Sequence, residues 1–230
     1  MLKTKVKICA SIGVRNVEML SERIEEAIDF GSDLFEVRVD YLERIDFSIL
    51  KEAIKKYIDR SILTCRAKGE GGKFKGSEEE RQEVLLNLSK LKPAYMDIEL
   101  SLAQNNPDLL RLIRSSTSTI LSWHDFEDTP PFQFLKNTLD KAKPLGEIVK
   151  IVTMAKDFSD NISILNLYKH SEPNKLVAFC MGEKGQISRI LCPILGSPFT
   201  YASLPGFSTA PAQIMVKELR ELYDLLELGH

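Results

Sequence analysis

Short runs rich in β-branched residues alternate with amphipathic helical patterns along almost the whole chain. This alternation constrains the fold more than any other feature, because strand–helix–strand units pair their strands in parallel. The eight predicted strands cover residues 6–12, 34–40, 61–66, 94–100, 119–124, 148–153, 176–181 and 200–204. The helical patterns cover 17–30, 47–57, 77–91, 108–115, 131–142, 157–169 and 211–226, and 183–189 allows only a short helical turn.

The number of units favours a closed barrel over an open sheet. Eight units leave about 29 residues each, which suits a (β/α)8 TIM barrel of roughly 200–250 residues. An open doubly wound sheet would normally carry a Gly-rich turn after its first strand, and residues 11–15 (Ser-Ile-Gly-Val-Arg) lack the GxGxxG pattern. No Pro/Gly/Ser-rich linker interrupts the pattern. We therefore predict an α/β fold, a (β/α)8 TIM barrel forming a single compact domain over residues 1–230.

Charge and cysteine content exclude several classes of protein. With 31 Lys+Arg against 33 Asp+Glu, the net charge of −2 gives no general attraction to nucleic acid or to an anionic membrane. No apolar run is long enough to cross a membrane, and the run at residues 8–12 is too short for a signal-peptide core. The four cysteines are widely spaced and form no CxxC pair, so neither a disulfide framework nor a zinc site is predicted. We expect a cytoplasmic protein without nucleic-acid or membrane partners.

Charged and polar residues interrupt the apolar strands in their C-terminal halves. Parallel strands that are covered on both faces should be almost entirely apolar. The period of two residues places each polar set on one face of its strand. These sets are Glu36, Arg38 and Asp40; Thr64 and Arg66; Asp97 and Glu99; Ser122 and His124; and Lys150. Because barrel active sites lie at the carboxyl ends of the strands, the pattern predicts a polar site there. The alternative is a ring of salt bridges that fills the barrel.

Lys150 is the most unusual of these residues, because its amine lies within an apolar strand. Residues 148–152 read Ile-Val-Lys-Ile-Val, so two β-branched residues flank the lysine on each side. A lysine freed of its proton by burial and by nearby cations is the nucleophile of Schiff-base chemistry with ketones and aldehydes. We expect those cations to be arginines at the same mouth, namely Arg38, Arg66 and Arg189. The alternative is a lysine that pairs with Asp97 or Glu99.

His124 is the histidine best placed for catalysis, because it ends a predicted strand. The other two, His170 and His230, lie at the end of a helical pattern and at the C-terminus. No second histidine has ligand spacing to His124, so we predict a general acid/base and no metal site. Glu70, in the Glu-Gly-Gly segment of the third loop, could orient this histidine or contact substrate.

Two late loops offer groups that bind anions. Residues 181–189 form the seventh βα loop, where glycines would resemble a phosphate cradle and where Arg189 can bind a carboxylate or phosphate bidentately. Residues 208–213 offer hydroxyls and the amide of Gln213, and Pro211 suits the first turn of the last helix. A helix N-terminus is therefore expected at this loop.

Nine segments in chain order carry a specific signature, although each is weak alone. They are Cys9–Ile12, Glu36–Asp40, Thr64–Arg66 with Glu70–Gly72, Asp97–Glu99, Ser122–Phe126, Val149–Thr153, Met181–Arg189, Ser197–Ala202 and Ala210–Gln213. Together they resemble the type I 3-dehydroquinase family, barrel lyases of the shikimate pathway that convert 3-dehydroquinate to 3-dehydroshikimate. The resemblance implies a lysine Schiff base, syn elimination of water, no metal and no cofactor, and a homodimer.

The resemblance also implies a role for each matching residue. Lys150 would form the imine with the C3 ketone, His124 would be the general acid/base, and Glu70 would orient His124. The substrate-binding residues would be Glu36, Arg38, Arg66, Arg189, Thr209, Gln213 and Ser11, with Arg189 on the substrate carboxylate. Two positions depart mildly from the family pattern: Ala212 stands where Gly is usual, and Thr209 where Ser is common. Both concern substrate affinity rather than the reaction.

Two other functions fit the same barrel. A class I aldolase would also use Lys150 but would need a phosphate site in the seventh and eighth loops. A non-catalytic barrel would bind a metabolite or partner without turnover, and the joint presence of Lys150, His124 and Glu70 argues against it. The apolar face of the last helical pattern suits a helix that covers the barrel, a contact with a second subunit, or both.

Overall fold

The structure is a computed structural model that describes residues 5–228. Most of the basic start of the chain (residues 1–4) and His230 lie outside the described residues. The strands are β1 (Ile8–Ile12), β2 (Leu34–Arg38), β3 (Ser61–Thr64), β4 (Tyr95–Glu99), β5 (Ser118–His124), β6 (Ile148–Met154), β7 (Leu176–Met181) and β8 (Thr200–Ala202).

Helices alternate with these strands and surround them. They are α1 (Leu20–Asp29), α2 (Phe47–Ile54), α3 (Glu78–Ser89), α4 (Leu100–Asn105), α5 (Pro107–Arg114), α6 (Phe132–Ala142), α7 (Asp160–Leu165), α8 (Gln186–Leu191) and α9 (Val216–Leu225). Short 3-10 segments lie at Val17–Met19, Val39–Tyr41, Lys55–Arg60, Lys68–Glu70, Asn166–His170 and Glu183–Gly185. No helix in residues 5–228 is long and apolar enough to cross a membrane.

The strands pair in parallel in chain order, and β8 returns to pair with β1. The register places Cys9 beside Tyr201 at this junction and Ser122 beside Lys150 between β5 and β6. Within residues 5–228 no backbone ladder joins β7 to β8, so the barrel is nearly closed. The prediction of a (β/α)8 barrel is confirmed.

Three elements differ from the sequence-based prediction. The fourth strand ends at Glu99, and helices α4 and α5 follow it, with Asn106 capping the second of them through its side chain. The predicted helix over 157–169 divides into α7 and a 3-10 segment. The last helix begins at Val216 rather than at Pro211, because the left-handed backbone of Ala212 (φ 50°) interrupts any helix before it.

The alternation of side chains along each strand divides the core into two parts. Outward-facing residues pack beneath the helices, whereas inward-facing residues fill the barrel. The lower inward layer is mostly apolar and contains Cys9, Ile62, Ile120, Ile148 and Val177. Two residues further along the same strands are Ser11, Thr64, Ser122, Lys150 and Phe179. An apolar floor therefore closes the barrel beneath a polar mouth.

Candidate active site

A cavity of about 430 Å³ opens at the carboxyl ends of the strands. Every site residue predicted from the sequence lines it: Ser11, Glu36, Arg38, Arg66, Glu70, His124, Lys150, Arg189, Thr209 and Gln213. Six further residues complete the lining: Phe126, Val152, Phe179, Met181, Tyr201 and Ala210. The structure thus brings together side chains from six strands and from the loops that follow them.

Lys150 lines this cavity and is buried, with a residue exposure of 5%. Its Nζ is 3.1 Å from Glu36 Oε1 and 3.1 Å from Asp97 Oδ2. The face of the Tyr201 ring lies beneath it, with Nζ 4.1 Å from the ring centroid. The nearest charged groups are therefore carboxylates rather than the expected arginines, and one of them, Asp97, is a partner that the alternative interpretation of the sequence named. A buried ammonium requires such partners, because an unpaired charge in a barrel interior is strongly disfavoured.

Asp97 connects the lysine to a second cation. Its Oδ1 is 2.7 Å from Arg66 Nη2 and accepts a hydrogen bond of 2.5 Å from Ser122 Oγ. Burial alone would raise the pKa of Asp97, but the charges of Arg66 and Lys150 outweigh burial and hold that pKa well below its usual range. The pKa of Glu36 is lowered in the same way, because Lys150 and Arg38 outweigh its burial. Both carboxylates are therefore ionised at neutral pH.

Glu99, the other carboxylate of β4, does not contact Lys150 in the described structure. Its oxygens instead accept from Arg81 Nη1 (2.9 Å) and from the backbone N–H of Ala67 (2.9 Å), and Arg66 Nη1 lies 3.3 Å away. Arg81 is 3% exposed and also donates to the carbonyl of Cys65 at 2.7 Å. This pair therefore fixes the start of the loop that carries Glu70.

His124 and Glu70 form a hydrogen-bonded pair, with Nδ1 and Oε2 2.9 Å apart. Burial raises the pKa of Glu70 to about 7. Burial, and then the positive charges of Arg66 and Lys150, lower the pKa of His124 well below its ordinary value. The imidazole is therefore neutral at pH 7. Because Glu70 occupies Nδ1, Nε2 is the nitrogen left for chemistry in the cavity.

The loop that places Glu70 is tightly folded. Gly71 has a φ of 78°, a conformation that favours glycine, and the N–H of Gly72 donates to the carbonyl of Ala67 at 2.9 Å. The ring of Phe126 covers Gly71, so that a Cβ at that position would collide with it. The same ring stacks on His124, with centroids 6.2 Å apart. Phe126 therefore packs the loop against the histidine.

Arg189 is a buried cation, and some of its N–H donors are not used in hydrogen bonds within the described structure. It is 1% exposed, its guanidinium carbon lies 4.2 Å from the ring centroid of Phe179, and Nη1 donates to the carbonyl of Tyr201 at 3.2 Å. Its Nε and Nη2 are buried and have no hydrogen-bond partner within residues 5–228. Burial lowers its pKa to about 10, so it keeps its charge at neutral pH. Unpaired buried donors on a cation are the arrangement that binds a carboxylate.

The loop between β8 and α9 reaches across the mouth to the first two strands. Thr209 Oγ1 donates to Ser11 Oγ at 2.8 Å, and Ser11 Oγ donates to Glu36 Oε2 at 2.6 Å. The Thr209 N–H donates to Gln213 Oε1 at 3.0 Å. Arg38 lies nearby and donates two bonds, of 2.9 and 2.8 Å, to Asp40. Four of the predicted substrate ligands, Ser11, Glu36, Thr209 and Gln213, are therefore linked by hydrogen bonds, whereas Arg38 is held by Asp40.

The seventh and eighth loops do not form the anion cradle considered from the sequence. The N–H of Gly182 donates to the carbonyl of Pro211, and the N–H of Gly185 donates to the carbonyl of Gly182. No helix begins at Pro211, so this loop presents no helix N-terminus. The usual glycine at position 212 is explained by the left-handed backbone there, which costs an alanine about 1–2 kcal/mol.

Sequence reasoning missed three contributors to the site. Tyr201 lies in the eighth predicted strand, which is short and polar, and only its inward register would have shown that its ring faces Lys150. Arg81 resembles any surface arginine of an amphipathic helix. Phe126 follows His124 by two residues, and that spacing was its only signal. Among residues 5–228, no cluster of three His, Cys, Asp or Glu side chains that could bind a metal ion occurs.

A (β/α)8 barrel with a buried lysine, a histidine–carboxylate pair and an unpaired arginine at one mouth defines a barrel enzyme that acts on a small anionic substrate. The model of the type I 3-dehydroquinase family matches residues 8–230. The chain therefore belongs to the type I 3-dehydroquinase family, whose members are lyases.

The most similar relatives cover nearly the whole chain. A 3-dehydroquinate dehydratase of Thermococcus gammatolerans is 39% identical over 96% of this chain and 99% of its own length. The Methanopyrus kandleri protein of the same name is 36% identical over 95% and 99%. Among solved structures, the Aquifex aeolicus 3-dehydroquinate dehydratase is 30% identical, with a TM-score of 0.81 over 96% of this chain and 98% of that one. A type I enzyme of Clostridium difficile, solved with covalent modified comenic acid, has 26% identity and a TM-score of 0.81 over 97% and 92%.

Proposed function

We propose that the chain dehydrates 3-dehydroquinate to 3-dehydroshikimate through a Schiff base on Lys150, by syn elimination of water in the shikimate pathway. The observation that carries this proposal is one cavity lined by the Lys150 amine, the His124–Glu70 pair and the unpaired guanidinium of Arg189. The covalent ligand described for the Clostridium difficile enzyme supports covalent chemistry at such a site.

The first stage joins the lysine to the C3 ketone. The lone pair of the neutral amine attacks the carbonyl carbon, the C–N bond forms, and the carbonyl oxygen takes up a proton to give a carbinolamine. His124 then donates a proton to that hydroxyl, which leaves as water, and the nitrogen lone pair forms the C=N bond. The product is an iminium ion that keeps one N–H. A neutral His124 suits this stage, because it can first accept the excess proton of the amine.

The second stage removes the elements of water from C2 and C1. His124 takes a proton from C2, and the C–H electrons form a C2–C3 double bond while the C=N electrons move to nitrogen. The resulting enamine returns its electrons to form the C1–C2 double bond, and the C1 hydroxyl leaves with the proton that His124 carries. Because one residue serves both positions, the proton and the hydroxyl leave from the same face. Water then hydrolyses the iminium and regenerates the amine.

The remaining residues recognise the substrate. The free Nε and Nη2 donors of Arg189 suit the carboxylate on C1, which needs two donors in one plane. The ring oxygens are assigned to the other polar residues of the cavity, namely Ser11, Glu36, Arg38, Arg66, Thr209 and Gln213. A net charge of −2 for the chain does not oppose an anionic substrate, because the local charge of the cavity includes three arginines.

We further propose a single catalytic domain over residues 1–230, a cytoplasmic location and a homodimer. The family match over residues 8–230 supports one domain. The four cysteines are buried free thiols, which suits a reducing compartment. Exposed apolar side chains, including Phe158 (66%) just before α7 and Ile162 (65%) on α7, offer contact area to a second copy.

The direct test of this proposal is turnover of 3-dehydroquinate, followed by the absorbance of the conjugated enone that forms. We expect the absorbance to rise, and borohydride added with 3-dehydroquinate to leave a reduced adduct on Lys150 in the mass spectrum of the digested protein. A phosphosugar aldol substrate should leave no adduct. Trapping of the phosphosugar instead would indicate the class I aldolase. Tight binding of 3-dehydroquinate with neither turnover nor adduct would indicate a non-catalytic barrel.

Replacement of Arg189 by glutamine should weaken binding more than catalysis. The change removes a charged, bidentate partner of the proposed carboxylate, and hydrogen bonds to charged groups contribute about 1.5–3 kcal/mol each. We therefore expect KM for 3-dehydroquinate to rise about 10–100-fold, with a smaller change in kcat. Arg44→Gln, at an exposed arginine, is the matched control and should leave KM unchanged. An unaltered KM in a folded Arg189→Gln variant would remove Arg189 from the binding site.

A further inference from the structure

The groups around Lys150 Nζ suit a positively charged nitrogen, and the proposed reaction changes the number of hydrogens that this nitrogen carries. The ammonium group has three N–H bonds, and its surroundings are Glu36, Asp97 and the ring face of Tyr201. In the iminium that follows, nitrogen is bonded to two carbons and keeps one N–H. The positive charge is still present, but only one carboxylate can accept its hydrogen bond.

Glu36 is the less available of the two carboxylates. Its Oε2 already accepts from Ser11 at 2.6 Å and its Oε1 from Thr64 at 3.2 Å, and it lies on the side of the cavity formed by the β8–α9 loop. In the proposed function Glu36 also binds an oxygen of the substrate. With substrate bound, the oxygens of Glu36 therefore accept hydrogen bonds from other groups and are less available to the imine nitrogen.

Asp97 is fixed in a way that leaves one oxygen for the nitrogen. Arg66 and Ser122 both bind its Oδ1, whereas Lys150 is the hydrogen-bond partner of its Oδ2. The side chain of Asp97 is fully buried, and its residue exposure is 1%. Its position is thus set by groups that do not take part in covalent chemistry.

We infer that Asp97 is the counterion of the protonated imine on Lys150 and is a further catalytic residue of the reaction. The inference rests on the proposed function. An ionised carboxylate at this distance keeps the imine protonated, and only the protonated imine withdraws electrons strongly enough to acidify C2. Because Arg66 keeps the pKa of Asp97 low, this carboxylate does not take the proton itself.

Other charged and titratable groups surround Lys150 Nζ, and some stabilise a positive charge on it while others destabilise that charge. Those that interact with Lys150 are Glu36 on β2, His124 on β5, Tyr201 on β8 and Cys9 on β1. Arg38 on β2 and Arg66 after β3 line the same cavity. The arginines oppose a positive charge at the nitrogen, and Glu36 favours it. Removing the charge of Asp97 therefore leaves Glu36 as the remaining carboxylate partner against two guanidinium groups.

The test measures the protonation of the imine directly. The adduct is formed at pH 7 with saturating 3-dehydroquinate, the pH is then changed rapidly, and borohydride is added, because hydride adds to the protonated imine. The reduced fraction, read by mass spectrometry, falls at alkaline pH where the imine loses its proton. Without the negative charge of Asp97 the cation is less stable, so Asp97→Asn should move this alkaline limb about 1–3 pH units lower. Turnover at pH 7 should fall about 100-fold.

The matched control is Glu127→Gln, which removes an exposed carboxylate of the loop after β5. Glu127 does not belong to the lining of the cavity, so the alkaline limb of this variant should coincide with that of the unaltered protein. A folded Asp97→Asn variant with an unmoved limb would overturn the inference while leaving the proposed function standing. The absence of any adduct in the unaltered protein would overturn both.

A second pair of variants covers the case in which Asp97→Asn does not fold. That single change leaves Arg66 buried without its closest carboxylate. Replacing both partners of the ion pair with neutral residues is better tolerated, because no buried charge is left unpaired. Arg66→Gln is then compared with the double variant Arg66→Gln, Asp97→Asn. The double variant should show the lower alkaline limb, and coincidence of the two limbs would contradict the inference.

Discussion

Lys150→Ala is expected to abolish both turnover of 3-dehydroquinate and borohydride trapping. The variant retains the cavity, His124 and Arg189 but has no amine to form the imine, so the elimination loses its electron sink. Loss of the nucleophile from an enzyme of covalent mechanism lowers turnover by about 10⁴-fold or more. The enone absorbance and the mass of the trapped protein measure the two effects independently.

Lys150→Ala should also lower the free energy of unfolding, so the experiment needs a control for folding. Glu36 and Asp97 lose their shared cation, and removing one partner of a buried ion pair costs about 3–5 kcal/mol. Thermal unfolding must therefore show that the variant is folded at the assay temperature. Lys184→Ala, which removes an exposed amine near the same mouth, should keep full turnover and trapping. Appreciable activity in a folded Lys150→Ala variant would contradict the Schiff-base mechanism.

His124→Ala is expected to separate imine formation from elimination. General acid/base catalysis contributes about 10²–10⁴-fold, and we expect turnover to fall within that range. Lys150 keeps its contacts with Glu36 and Asp97, so some imine should still form and be reduced by borohydride. The readouts are the steady-state rate and the yield of trapped adduct at long incubation.

The other described histidine provides the comparison for this variant. His170 is exposed and packs on Phe132, with ring centroids 5.5 Å apart, and it does not line the cavity. His170→Ala should therefore match the unaltered protein in rate and trapping. A His124→Ala variant that formed no adduct at all would show that the histidine is needed from the first step. One that kept its full rate would move the acid/base role to another residue.

The fold was predictable because local and global signals agree. Six of the eight strands lie within the predicted runs, and β5 and β6 each exceed theirs by one residue. The capping box of Ser77 and Glu80 begins α3 at the start of the predicted helical pattern. Predictions near the loops were less accurate. Pro211 suits a first helical turn on local grounds, but the left-handed Ala212 prevents it, and a backbone dihedral angle of that kind is not visible in residue types.

The positions of the site residues could be predicted, but their pairing only in part. The period of two residues placed Lys150 and His124 at one mouth, and the third loop placed Glu70 beside His124, where the structure has it. Asp97 was named as an alternative partner of Lys150, whereas Glu36 was not, because the partners depend on how far each side chain reaches across the barrel. The position of Arg81 depends on a helix that packs outside the barrel, and its contact with Glu99 is equally long-range.

Arg189 lies where β7 and β8 of the described chain are not joined by a backbone ladder, so it has a structural role as well as its proposed role in substrate binding. In the described chain these strands lack a backbone ladder, and Arg189 spans them by stacking on Phe179 and donating to the carbonyl of Tyr201. The side chain that is proposed to bind the substrate therefore also connects β7 with β8. Mutational drift at position 189 would loosen the scaffold as it altered the substrate range.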